Sequence, residues 1–113
     1  SKRVMIHDPK SIEQGSDLLF ELEAILKAAG LWSAVMPSQD ALASQQPFAC
    51  DTLDFEQWLQ FILIPRLRAL LKSKTLPPPM QIHPMAEVTW RGNHLSVQRV
   101  LARFDSWSHS LHG

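Results

Sequence analysis

The chain has little of what several common chemistries require. Cys50 is the single cysteine among 113 residues, which excludes an internal disulfide and a cysteine-rich zinc cluster. A reducing compartment is the simplest inference. No Gly-rich phosphate loop, Gly-x-Ser-x-Gly elbow or His-Glu-x-x-His occurs, so catalysis has no support from a local motif. Basic residues are not in excess, because Lys+Arg and Asp+Glu are equal at 11 each. The strongly basic total of a dedicated nucleic-acid binder is therefore missing, and direct nucleic-acid binding is not expected. The longest strongly apolar run, WLQFILI, contains Gln60 and falls far short of the roughly 20 residues that span a bilayer. The opening SKRVMIHDPK lacks the apolar region of a secretory signal, so a soluble, cytoplasmic protein without a membrane partner is expected.

What is present fits one compact domain over residues 1–113, with 45% apolar residues to build a single core. The zero net charge hides an asymmetry. Ser1–Glu56 holds 9 acidic and 4 basic residues, net −5, and Gln57–Gly113 holds 2 acidic and 7 basic, net +5. The halves are expected to attract each other; a charged partner for each is the alternative.

Leu18, Leu19, Leu22, Ile25, Leu26 and Ala29 recur at helical spacing, which predicts a first helix capped by Ser11 and ended by Gly30. Residues 33–53 lack a sustained period. They predict a long loop that packs on the core through Phe48 and Leu53 or serves a function. Asp54 and Gln57 form an Asp-x-x-Gln variant of the capping box, so a second helix starts at Phe55. Stepped at about 100° per residue, its apolar side chains point in almost every direction, the pattern of a buried, central helix. Pro65 interrupts it at a cost of roughly 3 kcal/mol. Burial of Trp58, Phe61 and Ile62 at about 1.5–3 kcal/mol each offsets that cost. The expectation is a kink near residues 61–65, or a new helix with Pro65 at its first position. A functional alternative makes the released Phe61 carbonyl, Gln60 and Arg66 a small-ligand spot.

TLPPPMQIHP reads as a stiff polyproline connector. PMAEVTWR predicts a third, short helix from Pro84 to a stop at Gly92, with Glu87 and Arg91 spaced four apart. Asn93 is the expected cap of a fourth helix to about His109. It turns Val97, Val100, Leu101, Phe104, Trp107 and Leu111 inward and Arg99, Arg103 and Asp105 outward. The fold class is thus all-α, a single-domain four-helix bundle with a kinked central helix.

Candidate sites are sparse. His109 and His112 are three apart but lack a third ligand, and His7, His83 and His94 are scattered, so neither a metal nor a cofactor is expected. Cys50 beside Asp51 lacks the positive neighbour that activates a thiol. Trp58 and Trp107 fall on apolar faces and read as core. Trp90, next to Arg91, is the best candidate for exposure at a partner interface, with a core role the alternative. Arg66 is expected to be partly covered, with Glu87 its first-choice ion-pair partner.

QPFACDTLDFEQWLQFILIPRL, the leucine-proline of TLPPP, and IHPMAE resemble the signature segments of the YqcC-like family of small bacterial helical proteins. The resemblance runs from Gln46 to Glu87; the end helices agree in pattern more than in residues. It covers Pro47, Phe48, Asp51, Thr52, Trp58, Leu59, Gln60, Pro65, Arg66, Pro84, Met85 and Glu87, with Leu53 where methionine is common. It implies a helical bundle of unknown function with no established enzymatic activity, whose members are often encoded beside a tRNA pseudouridine synthase. Gln60, Arg66 and Glu87 are the polar positions left after caps, kinks and packing. With Trp90 and Arg91 they are the candidates for binding a partner or ligand. The leading expectation is a non-enzymatic helical module that binds a protein, itself included. An accessory role beside an RNA-modification enzyme is second.

Overall fold

The computed structural model describes residues 8–111, and these are all helix, turn and connector. Helix α1 spans Pro9–Ala28, and its cap lies three residues before the expected Ser11. Asp8 caps it: the Asp8 carboxylate accepts from the Lys10 backbone N–H and from the Ser11 hydroxyl, both at 3.0 Å. Pro9 follows with its φ already helical. A carboxylate accepts from both neighbours at once, so Ser11 becomes a donor to the cap rather than the cap. At the other end Gly30 takes φ +74°. The Leu31 N–H donates to the Leu26 carbonyl at 2.9 Å, the Schellman closure that glycine favours.

The long segment after α1 is more ordered than its sequence suggests. Ser38 caps a single turn, α2 (Gln39–Leu42), and a 3₁₀ turn forms at Pro47–Ala49. The segment packs on the core as expected, with Ala49 and Leu53 buried and Phe48 partly so.

Helix α3 (Phe55–Trp58) opens on the expected capping pair, the Asp54 N–H donating to Gln57 Oε1 at 2.8 Å. It runs into a π turn at Leu59–Leu63 and continues as α4 (Ile64–Lys72). The break predicted at Pro65 is this wider turn. The Ile64 N–H donates to the Leu59 carbonyl five residues back, and Pro65, which has no N–H to give, sits exposed at the start of α4. The helix is central but not buried all round: Phe55, Leu59, Leu63, Ile64, Leu67 and Leu71 are buried, whereas Pro65, Arg66, Arg68, Ala69 and Lys72 are exposed. Trp58, read as core, is only partly buried.

The proline-rich connector is pinned along the last helix. The Met80 N–H donates to Ser108 Oγ at 2.8 Å, and the Ile82 and His83 N–H groups donate to the Asp105 carboxylate at 2.8–2.9 Å. Asp105 therefore does not face outward; it satisfies the free donors at the start of α5 (His83–Trp90). Helix α5 ends at Trp90, with Arg91 rather than Gly92 turning the chain at φ +55°. Asn93 does not cap α6 (Leu95–Ser110): His94 takes the cap position in the left-handed region, and the buried Gln98 amide donates to the Arg91 and Asn93 carbonyls at 2.8 Å.

Helix α1 packs against α4 and α6, and α5 lies on α6. Leu22, Leu26, Leu59, Leu101 and Phe104 are wholly enclosed where they meet. Trp107 ties α6 to the start of α1, its indole N–H donating to the Ser11 carbonyl at 3.1 Å.

A candidate partner-binding cleft

The PFACDT segment is held by unusual backbone. Phe48 and Ala49 adopt φ +59° and +49°, each costing a non-glycine residue about 1–2 kcal/mol. The turn is closed by N–H donations to the Ala49 carbonyl from Leu53 (2.8 Å) and Thr52 (3.0 Å). Ring packing offsets the strain. Phe48 meets Trp58 edge-on at 4.8 Å, Phe55 stacks on Trp58 at 6.0 Å, and Trp90 meets Phe55 at 5.1 Å and His94 at 5.2 Å. Such pairs contribute about 0.5–1.5 kcal/mol each beyond burial. The chain of rings welds the loop, α3 and α5 together.

Beside these rings the loop and α5 enclose a cleft of about 210 Å³, lined by Phe48, Cys50, Leu53, Asp54, Phe55, Met85 and Thr89. It is smaller than the roughly 300–1,000 Å³ of a drug-sized ligand site and suits one inserted apolar side chain. Asp54 is its single charged wall residue.

None of the sequence candidates Gln60, Arg66, Glu87, Trp90 and Arg91 lines this cleft. Trp90, favoured for exposure, is buried behind it at 8% exposure, because α5 turns the indole onto Phe55. Arg91 is exposed at the following turn. Gln60 is buried and fully engaged: its amide accepts from the Ser33 N–H and donates to the Ser33 carbonyl, both at 2.8 Å, which fastens the start of the long segment to the π turn. Arg66 and Glu87 are both exposed, and no ion pair joins them among the described residues. The apolar stripe of α4 faces inward, so Arg66 is turned to solvent and needs no carboxylate. Gln60 and Arg66 therefore form no common polar spot. The sequence reading missed Phe55, Thr89 and Cys50 as cleft neighbours; the PFACDT segment was a signal, but nothing local to it points to α5.

Among the described residues no group of three His, Cys, Asp or Glu side chains is placed to hold a metal ion. His7 and His112 lie outside the described residues. No helix of the described residues is long and apolar enough to cross a membrane.

A family model described as tRNA pseudouridine synthase C matches residues 14–107. The uncharacterized protein YqcC of Escherichia coli is 34% identical over 85 residues, 74% of this chain and 78% of that protein. The chain belongs to the YqcC-like family. An uncharacterized protein of Haemophilus influenzae is similar to this YqcC-like chain at 39% identity over 70 residues, 61% of the chain and 66% of the relative. A Pectobacterium carotovorum protein named tRNA pseudouridine synthase C is 33% identical over 82 residues, 72% of the chain but only 22% of that protein's length. No solved structure matches the YqcC-like chain.

Proposed function

We propose that this YqcC-like protein is a non-enzymatic cytoplasmic helical module that binds another protein, and that its partner is an enzyme of tRNA pseudouridylation. Support for the partner comes from one observation: sequence similar to this chain occupies 22% of a much longer protein named tRNA pseudouridine synthase C. Similar sequence makes up 78% of YqcC of Escherichia coli but 22% of that longer protein, and a module found both tethered and by itself among its relatives behaves as a docking unit, because tethering raises the effective concentration of a pair that otherwise meets in solution. Support for binding rather than catalysis comes from the cleft. Its wall is mainly apolar, with Phe48, Leu53, Phe55 and Met85, and its volume suits a single side chain, the form of an interface anchor pocket. Glu87 and Arg91, exposed on and after α5, are not among the residues that line the cleft.

Affinity purification from the native cell tests this. The wild-type chain is expected to capture a tRNA pseudouridine synthase. Thr89→Arg, at an exposed cleft position, is expected to lose it with an unchanged melting temperature. Capture of no such synthase, or equal capture by the variant, would reject the partner or the cleft respectively.

A further inference from the structure

The elements that wall the cleft are acidic and carry no compensating base. The lining comes from the 47–54 segment, from Phe55 at the start of α3, and from Met85 and Thr89 of α5. Residues 47–58 and 83–90 hold four carboxylates, Asp51, Asp54, Glu56 and Glu87, and no lysine or arginine. Helix α2, joined to Thr52 through the Ala41 carbonyl, adds Asp40, and the whole stretch from Ala28 to Pro65 is without a basic residue. Arg91, at the turn after α5, is the nearest cation along the chain; set against the four carboxylates of the walling elements, it leaves a net charge of −3. Helix α6, with Arg99 and Arg103, contributes no residue to the wall.

These charges are not spent inside the fold. Among the described residues no ion pair joins any of the acids beside the cleft; the pairs all belong to Glu21 and Glu23 of α1. The Asp51 carboxylate accepts from the neutral Ser44 hydroxyl at 2.5 Å, and Asp54 stands at the N-cap of α3; both are exposed.

From an apolar cleft of single-side-chain size set among unpaired carboxylates, we infer that its occupant is a short segment of the protein partner that inserts one large apolar side chain and carries lysine or arginine beside it. The apolar side chain packs against Phe48, Leu53, Phe55 and Met85, and the flanking cations meet Asp54 and Asp51. Insertion supplies affinity, and complementary charge speeds encounter and excludes wrong partners. The inference rests on the reading that this cleft docks a protein, and it adds the chemistry of what docks.

Other occupants fit less well. RNA would bring phosphates against these carboxylates. Residues 1–7, SKRVMIH, have suitable chemistry but leave the fold at Asp8, about two helical turns beyond Gly15, which lies against Leu71. The helical run from Leu71 back to Phe55 alone spans about 24 Å, and a seven-residue segment reaches at most about 25 Å, so it falls short of the cleft of its own chain.

The test uses the intact chain and a phage-displayed library of random peptides of about ten residues, selected on wild type and depleted on Thr89→Arg. The selected sequences are expected to share one large apolar residue with lysines or arginines close by. A labelled synthetic copy is expected to bind at least about tenfold more tightly than the same peptide with glutamates for its cations or serine for its apolar residue. The double variant Asp51→Asn, Asp54→Asn should weaken binding about fivefold or more and melt as wild type, since asparagine caps a helix as well as aspartate does. Cys50, the single cysteine, is exposed and lines the cleft, so bound peptide should slow its reaction with a thiol reagent severalfold. Selected sequences with acidic or uncharged flanks, or with nothing in common, would overturn the proposal. So would equal binding of the glutamate peptide, an unprotected Cys50, or a wild-type dimer dissolved by Thr89→Arg, which would make a second copy the occupant. If the peptide results fail while Thr89→Arg still loses the synthase, the docking cleft stands without this occupant. If basic peptides bind and no synthase is captured, the occupant stands and the partner is rejected.

Discussion

Gly15 shows how closely one residue can be specified by its neighbours. It lies within α1, where glycine costs about 1 kcal/mol relative to alanine. Yet a Cβ there would come within 2.6 Å of Trp107 Cζ2 and 3.0 Å of Leu71 Cδ1. The indole cannot swing aside freely, because its N–H donates to the Ser11 carbonyl and the ring is buried. Overpacking costs about 1–3 kcal/mol and the better helix propensity returns about 1 kcal/mol, so Gly15→Ala should destabilise by up to about 2 kcal/mol in urea melts. A more stable variant would mean the ring relaxes without loss. At this scale the sequence was legible where both partners are close along the chain. Asp54 with Gln57 and Gly30 after α1 could be read directly. Asp105 could not, because the amides it caps belong to Ile82 and His83, more than twenty residues away. Gln98 was hidden for a related reason: it closes the turn before its own helix, where Asn93 had the better cap chemistry.

The element that misled the sequence reading most is the helix through Pro65, and one added residue explains it. At about 100° per residue throughout, Phe55, Leu59, Ile64, Leu67 and Leu71 spread over about half the circumference. The π turn at Leu59–Leu63 inserts one extra residue and turns everything after it back by about 100°. The same five side chains then fall within a stripe of about 80°, and Pro65, Arg66, Ala69 and Lys72 move to the opposite face, where they are exposed. The all-round apolar pattern was thus two aligned stripes read with an unbroken period. The π turn therefore has two causes, the missing donor of Pro65 and the registry of the core. Restoring the donor with Pro65→Ala should not remove it, since a regular helix would rotate Ile64, Leu67 and Leu71 out of the core. Stability is expected to change by less than about 1 kcal/mol, well below the roughly 3 kcal/mol that a helix-interior proline normally costs. Hydrogen exchange should find the Ile64 amide still protected. A gain near 3 kcal/mol would show that the proline alone forces the turn.

For the whole molecule, the opposed charges of the two halves are partly joined by the fold. Glu21 pairs with Arg103 at 2.7 Å and Glu23 pairs with Arg68, so two ion pairs tie α1 of the acidic half to α4 and α6 of the basic half. These pairs are largely solvent-exposed, and such pairs contribute about 0–1 kcal/mol each; the leucine and aromatic core carries the stability. Glu23 is where the effect is measurable, because Lys27 hydrogen-bonds its carboxylate, Arg68 does so from the other side, and together they hold its pKa below the ordinary 4.5. A depressed carboxylate pKa means the unfolded chain binds the proton more readily, so Glu23's contribution is complete above about pH 4.5 and declines as the pH falls through its lower folded value. Thermal melts of wild type and Glu23→Gln should differ by a constant small amount from pH 7 to 5 and converge as the pH drops further. Salt should shrink the gap at neutral pH, since screening weakens exposed pairs. Melting curves that run parallel down to the lowest pH at which the chain folds would show that the pairing of Glu23 with Lys27 and Arg68 does not stabilise the protein.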